Sequence, residues 1–275
     1  MIVVVAVLAG AVGLAIGSFL NVVAYRVPAG LSVVRPASAC PECGHAIRGR
    51  DNLPVVSWLL LAGRCRDCRS SISVRYPIVE ALTSLAFVIV AMSFGGAIAN
   101  ASSVAATVGA ILELLAFAYL AAISIALSAI DLDVRRLPNA IVLPSYLVAA
   151  ALLTPAAILS DRPDALVSAG VGLAASLVFY GILWLVAPGG MGFGDVKLAG
   201  VLGIYLGYLG WAQLLVGVGA AFTLGGVFGL VLIVIRRAGR KSAVPFGPWM
   251  FAGAWIGIMA GEQLALGYLE LVGLA

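Results

Sequence analysis

Charge is scarce in this sequence. Lys, Arg, Asp and Glu make up 10% of the 275 residues, and there is a single histidine. Soluble domains carry roughly 25% charged residues. Hydrophobic residues reach 63%, more than a water-soluble core of this length absorbs, so a soluble globular domain is excluded. The few basic residues lie in loops and at the ends of apolar runs, where membrane topology accounts for them, so no nucleic-acid partner is expected. No basic residue precedes the first apolar run, Ile2 to Leu20, and no obvious small-residue cleavage site follows it. A cleaved secretory signal is therefore not expected. No internal repeat is evident, which argues against an inverted-repeat transporter. A Rossmann-type glycine fingerprint is also missing.

What is present is a series of apolar stretches. A helix crossing the hydrocarbon core needs about 20 mostly apolar residues. Eight runs qualify as candidates: 2–24, 77–97, 103–130, 140–160, 165–187, 196–210, 212–235 and 247–270. Gly207 and Gly210 are the only punctuation between the sixth and seventh. Placing the N-terminus outside and alternating puts 15 of the 16 Lys and Arg residues on one side, with Arg162 alone opposite. That asymmetry is the one expected when basic loops stay in the cytoplasm. Seven helices would place Arg236, Arg237, Arg240 and Lys241 outside. The reading is an all-α polytopic protein with about eight transmembrane helices, its main partner the lipid bilayer. It divides into a first transmembrane helix (1–25), a cytoplasmic loop (26–76) and a transmembrane core (77–275).

The loop holds all four cysteines, His45 and eight arginines. Its cysteines read Cys40-Pro-Glu-Cys43 and Cys65-Arg-Asp-Cys68, two CxxC knuckles separated by 21 residues. Two such knuckles present four thiolates to one tetrahedral Zn²⁺. A cytoplasmic location disfavours disulfides. A complete set of four cysteines leaves no open coordination position, so the zinc is expected to be structural and His45 a bystander. Turns and short strands are expected around the knuckles.

Acids in or beside apolar runs are costly and point to function. Asp131 follows the third run, in Asp131-Leu-Asp133-Val-Arg-Arg-Leu-Pro138-Asn139. Asp195 precedes the sixth, in Gly192-Phe-Gly194-Asp195-Val-Lys197-Leu. The topology puts both at the cytoplasmic face. Two carboxylates at one depth can form a dyad that shares a proton, one activating water while the other protonates a scissile carbonyl. Helix-end acids at an ordinary interface are the competing reading, and for Asp195 the N-terminal helix dipole favours a carboxylate without any function. Composition does not separate Asp131 from Asp133. If the helix continues through them, they point to nearly opposite sides. Glu80 near a helix start reads as an interfacial cap, and Glu113 in mid-run needs a partner or a proton.

Taken in order, these motifs resemble a known family. They are Gly17-Ser-Phe-Leu-Asn21 with Tyr25-Arg26, the CxxC pair, Ser73-Val-Arg75-Tyr76-Pro77-Ile-Val-Glu80, Asp131 to Asn139, Gly192 to Leu198, and Pro245-Phe246-Gly247-Pro248. From about residue 12 to residue 252 the chain looks like the prepilin peptidases, also called type IV leader peptidases. The resemblance implies an aspartic endopeptidase of the bacterial plasma membrane with its active site facing the cytoplasm. Its substrates would be type IV prepilins or pseudopilins, cut between Gly and Phe on the cytoplasmic side of their apolar helix. Many members then methylate the new N-terminal amine from S-adenosylmethionine. The family pattern makes Asp131 and Asp195 the catalytic pair, with Gly192, Gly194 and Lys197 in the active-site loop. A presenilin-type GxGD protease shares one motif but leaves the cysteine loop unexplained, and a transporter would use the two aspartates as ion ligands.

Overall fold

The computed structural model describes residues 2–186, 190–235 and 245–274. Among them the regular structure is helical, with nine α-helices. They are α1 (Ile2–Arg26), α2 (Val56–Leu60), α3 (Arg75–Ala99), α4 (Val104–Val134), α5 (Asn139–Leu159), α6 (Pro163–Val186), α7 (Phe193–Leu209), α8 (Trp211–Val234) and α9 (Gly247–Leu271). All but α2 coincide with the eight apolar runs to within a few residues. Six of them, α1, α3, α4, α5, α6 and α8, are long and apolar enough to cross a membrane on their own. The chain is thus a multi-pass membrane protein. With 17 residues, α7 spans only about 26 Å and carries Asp195 and Lys197 near its start, while α9 carries Glu262, Gln263 and Glu270.

The chain forms two compact units. The first comprises residues up to Ala101 together with Phe117–Ala126 of α4. Here α1 and α3 run antiparallel with their backbones close. A Cβ added to Gly13 would lie 2.7 Å from Ser84 Cα, and one on Gly17 would lie 2.7 Å from Glu80 Cα. Small residues allow this approach, which drives helix pairing where lipid offers no hydrophobic gain. Asn21 Nδ2 donates to Tyr76 O at 3.2 Å in the same register. Phe94 stacks on Phe117 with ring centroids 4.2 Å apart.

The loop of this unit has no extended strand. It holds two isolated bridges, Ala39 with Ala46 and Arg64 with Ser71, a 3-10 turn at Gly49–Asp51, and α2. The short strands expected from sequence are reduced to these bridges because each knuckle turns back within seven residues of chain. Nor is the loop uniformly polar: residues 53–62, Leu-Pro-Val-Val-Ser-Trp-Leu-Leu-Leu-Ala, form an apolar insert between the knuckles.

The second unit comprises Ser102–Ala116 and the chain from Leu127 onward. Its centre is α7, packed against α5, α6, α8 and α9 and buried along most of its length. Gly210 separates α7 from α8 with φ 145° and ψ 177°, backbone only glycine adopts readily. This is the break placed between the sixth and seventh runs. Near the far end of α7, Arg162 Nη1 lies 3.7 Å from Glu113 Oε1 and its guanidinium sits 5.3 Å from the centroid of the Tyr208 ring. Glu113 therefore has the partner that its position in an apolar run requires.

Candidate functional site

The carboxylates depend on where α4 stops. The apolar run ends at Ile130, but the helix continues to Val134 and is capped by Arg135 in the left-handed conformation. Both aspartates therefore lie on its last turn, on different sides. Asp131 is 5% exposed, whereas Asp133 is exposed. The chain then turns through buried Leu137 into α5.

Asp131 Oδ2 accepts a hydrogen bond from the N–H of Gly247 at 3.0 Å, across 116 residues of sequence. Gly247 is the first residue of α9, followed by Pro248, a residue suited to a first helical turn because its missing N–H is not needed there. Asp195 occupies the third position of α7 and is 9% exposed. Its Oδ2 accepts from Gly192 N–H at 3.0 Å, while its own N–H donates to Gly192 O at 3.0 Å. Each carboxylate is thus held through one oxygen by a glycine amide at a helix N-terminus, where unpaired N–H groups favour negative charge.

The surroundings of the two acids meet at one side chain, Leu137. Its Cβ lies 3.2 Å from a Cβ built on Gly194, and its Cδ2 lies 3.4 Å from one built on Gly247. A Cβ on Gly247 would also fall 2.8 Å from Asp131 Oδ2. Lys197 points elsewhere: its ammonium donates to Asn139 Oδ1 at 3.0 Å and sits 4.8 Å from the Phe193 ring centroid. Tyr180, Phe222 and Phe246 form an aromatic cluster beside the start of α9.

The cysteines form a second centre, in the other unit. The four Sγ atoms lie within 4.8 Å of one another, and Cys40 Sγ to Cys68 Sγ is 3.8 Å. Zinc–sulfur bonds of 2.3 Å in a tetrahedron require S···S separations of about 3.8 Å, so the thiols fit one metal ion. The two knuckles repeat the same backbone. Gly44 N–H donates to Cys40 O and Cys40 N–H to His45 O; Arg69 N–H donates to Cys65 O and Cys65 N–H to Ser70 O. The residue after each second cysteine has positive φ, Gly44 at 72° and Arg69 at 62°. Hydrogen bonds from the backbone at Cys43 and Glu42, then from the Ser70 hydroxyl, pull the Cys40 thiol down to about 6. The Ser70 hydroxyl and backbone likewise lower Cys68. Cys43 goes the other way, up to about 12: against a backbone hydrogen bond from His45 that lowers it stand burial and the neighbouring Cys40 and Cys68, so the crowded thiols share negative charge unequally. His45 contributes its carbonyl to the knuckle and is not in the ligand cluster.

Two polar partners were not foreseeable from local sequence. Gly247 as the donor to Asp131 had a signal only in the Pro-Phe-Gly-Pro motif, which carried no role. Glu80, buried in α3, accepts from Val55 N–H at 2.7 Å rather than capping its own helix.

Residues 11–94 match the model of the bacterial peptidase A24 N-terminal domain, and residues 118–230 match that of the type IV leader peptidase family. A prepilin leader peptidase/N-methyltransferase of Pseudomonas putida is 35% identical, covering 97% of this chain and 94% of its own. One of Aeromonas hydrophila is 34% identical over 93% of this chain and 91% of its own. One of Myxococcus xanthus is 38% identical over 84% of this chain and 64% of its own. No solved structure matches the chain.

Proposed function

The chain belongs to the type IV leader peptidase family, and from that premise we propose that it is an aspartic endopeptidase in which Asp131 and Asp195 cleave type IV prepilins or pseudopilins. The observation that carries the reading is the paired burial of these two carboxylates, each fixed by one glycine amide, while neighbouring Asp133 faces outward. One carboxylate takes a proton from water as the oxygen attacks the scissile carbonyl. The other, protonated, donates to the carbonyl oxygen. Collapse of the tetrahedral species returns a proton to the leaving amine. The amides of Gly192 and Gly247 keep the carboxylates oriented through this exchange. Gly194 leaves room for Leu137 beneath the loop, and Lys197 braces it against Asn139.

The wider reading has eight spans with the N-terminus outside, so that the carboxylates face the cytoplasm. Residues 77–275 carry the peptidase core and 26–76 the metal-binding loop. Arg236, Arg237, Arg240 and Lys241, on which the basic-residue bias partly rests, lie outside the described residues. The metal is Zn²⁺, held by Cys40, Cys43, Cys65 and Cys68 as a structural staple. The relatives' names support a second reaction, methylation of the new N-terminal amine with S-adenosylmethionine as methyl donor. Mass spectrometry of a prepilin incubated with the purified protein, with and without the donor, tests both reactions. Loss of the leader mass reports cleavage, and a methyl increment on the product reports transfer. An intact prepilin would reject the peptidase reading. Cleavage without the increment would reject only the second reaction.

A further inference from the structure

The apolar insert between the knuckles is unexplained by metal binding. In 53–62 the side chains of Leu53, Val56, Leu59 and Leu60 are 54%, 48%, 63% and 79% exposed. The backbone behind them is firmly held. Ser57 Oγ accepts from Leu53 N–H and donates to Arg50 O. Trp58 Nε1 donates to Ile72 O at 3.1 Å, and its ring packs against Gly63, tying α2 to the second knuckle. Pro54, Val55 and Val56 form a tight turn closed by Val56 N–H to Pro54 O at 2.6 Å, with Val55 at φ 60° and ψ −49°. For a β-branched residue this backbone is an outlier, and such strain persists only where the surroundings over-determine it. Here Glu80 supplies the constraint through the Val55 N–H.

Glu80 also sets the depth. It lies five residues into α3, about 7.5 Å along the axis from Arg75, and its side chain leans back toward that end. Its backbone packs on Gly17, nine residues from the end of α1 at Arg26, or about 13.5 Å. Both helices are candidate spans. Val55 is therefore held against the first turns of one candidate span and beside the last turns of the other. An apolar stretch of about ten residues is too short to cross a bilayer and is the usual length of an interfacial or re-entrant piece. Of the arginines that flank it, Arg48 pairs with Asp67 and Arg66 with Asp51, while exposed Arg50 and Arg64 add positive charge on either side, which suits anionic headgroups.

We propose that residues 53–62 dip into the cytoplasmic headgroup–acyl boundary, with Leu53, Val56, Leu59 and Leu60 against lipid, so that the metal-binding knuckles are tethered to the membrane surface. The inference rests on α1 and α3 spanning the bilayer with the loop on the cytoplasmic side, and is independent of the peptidase reading.

The test places a fluorescent amino acid at position 60, with position 59 as a second site and exposed Ala37 as the control. The full-length protein is reconstituted in phosphatidylethanolamine–phosphatidylglycerol vesicles, and metal content confirms that each variant is folded. Bromine on the upper acyl chain should quench positions 59 and 60 and leave 37 unchanged, while aqueous iodide should do the reverse. Equal iodide quenching at all three positions would overturn the proposal. So would insensitivity to bromolipid combined with a blue shift only on adding a prepilin, which would assign the surface to substrate.

Discussion

Gly247→Ala is the sharpest perturbation of the carboxylate site, because it adds one methyl group where the structure has no room for it. The new Cβ would lie 2.8 Å from Asp131 Oδ2 and 3.4 Å from its Cγ. Carbon–oxygen contacts ordinarily begin near 3.3 Å, so the carboxylate must withdraw by about 0.5 Å. That lengthens the 3.0 Å bond from Gly247 N–H and turns the carboxylate relative to Asp195. Functional constellations tolerate errors of about 0.5 Å, and a misplacement of 1 Å costs about 10²-fold. The expected loss in kcat for prepilin cleavage is thus between about tenfold and a hundredfold. Stability should fall by no more than about 1–3 kcal/mol, the usual cost of an extra methyl group in a packed site, because the contact to Leu137 Cδ2 stays at an ordinary 3.4 Å. Gly226→Ala in α8, where an added Cβ meets nothing within 4 Å, is the matched control. The assay is the steady-state rate of leader release by purified variants, with thermal unfolding measured in parallel. A folded Gly247→Ala protein within twofold of the parent rate would refute the claim that this amide positions Asp131.

Asp131→Asn and Asp195→Asn should each lower cleavage by at least about 10²-fold, because the amide cannot take up and return the proton; Asp133→Asn should keep most activity, and the reverse order would identify Asp133 as the catalytic residue. Replacing any one of Cys40, Cys43, Cys65 or Cys68 with Ser should release the metal and make the loop protease-sensitive, while metal analysis showing no zinc in an active preparation would reject the staple. The Arg66 guanidinium, bonded to both oxygens of Asp51, holds that carboxyl below the usual range. A depressed carboxylate contributes stability above its unfolded value of about 3.9 that is lost as pH falls through the folded value. The loop-stability difference between the parent and Asp51→Asn should therefore be flat above about pH 4 and shrink in more acid solution; a difference that grew on acidification would contradict the pairing.

Much of this was legible because the bilayer imposes its own arithmetic. Each spanning helix must satisfy its backbone internally over a fixed apolar thickness, so α1, α3 to α6 and α8 announce themselves as runs, and Gly210 marks a break by its backbone freedom. The cysteine centre was equally plain, since the knuckle spacing fixes four thiolates on two local turns whatever surrounds them. The place of the apolar insert 53–62 is not legible in the sequence, for the opposite reason. It is too short to read as a span, and its place depends on Glu80, 25 residues away in sequence from Val55.

By itself, then, the sequence determined the helices, the CxxC pairs and the two motifs that contain Asp131 and Asp195, because all of these are encoded over a few turns of chain. Only the tertiary structure decided which acid of Asp131 and Asp133 is buried, since that depends on α4 continuing past its apolar run to Val134 and on the phase it keeps there. The tertiary structure likewise supplied the Gly247 amide to Asp131 and the Arg162 partner to Glu113. These contacts join residues far apart in sequence, brought together by helix packing, and local pattern holds no record of them.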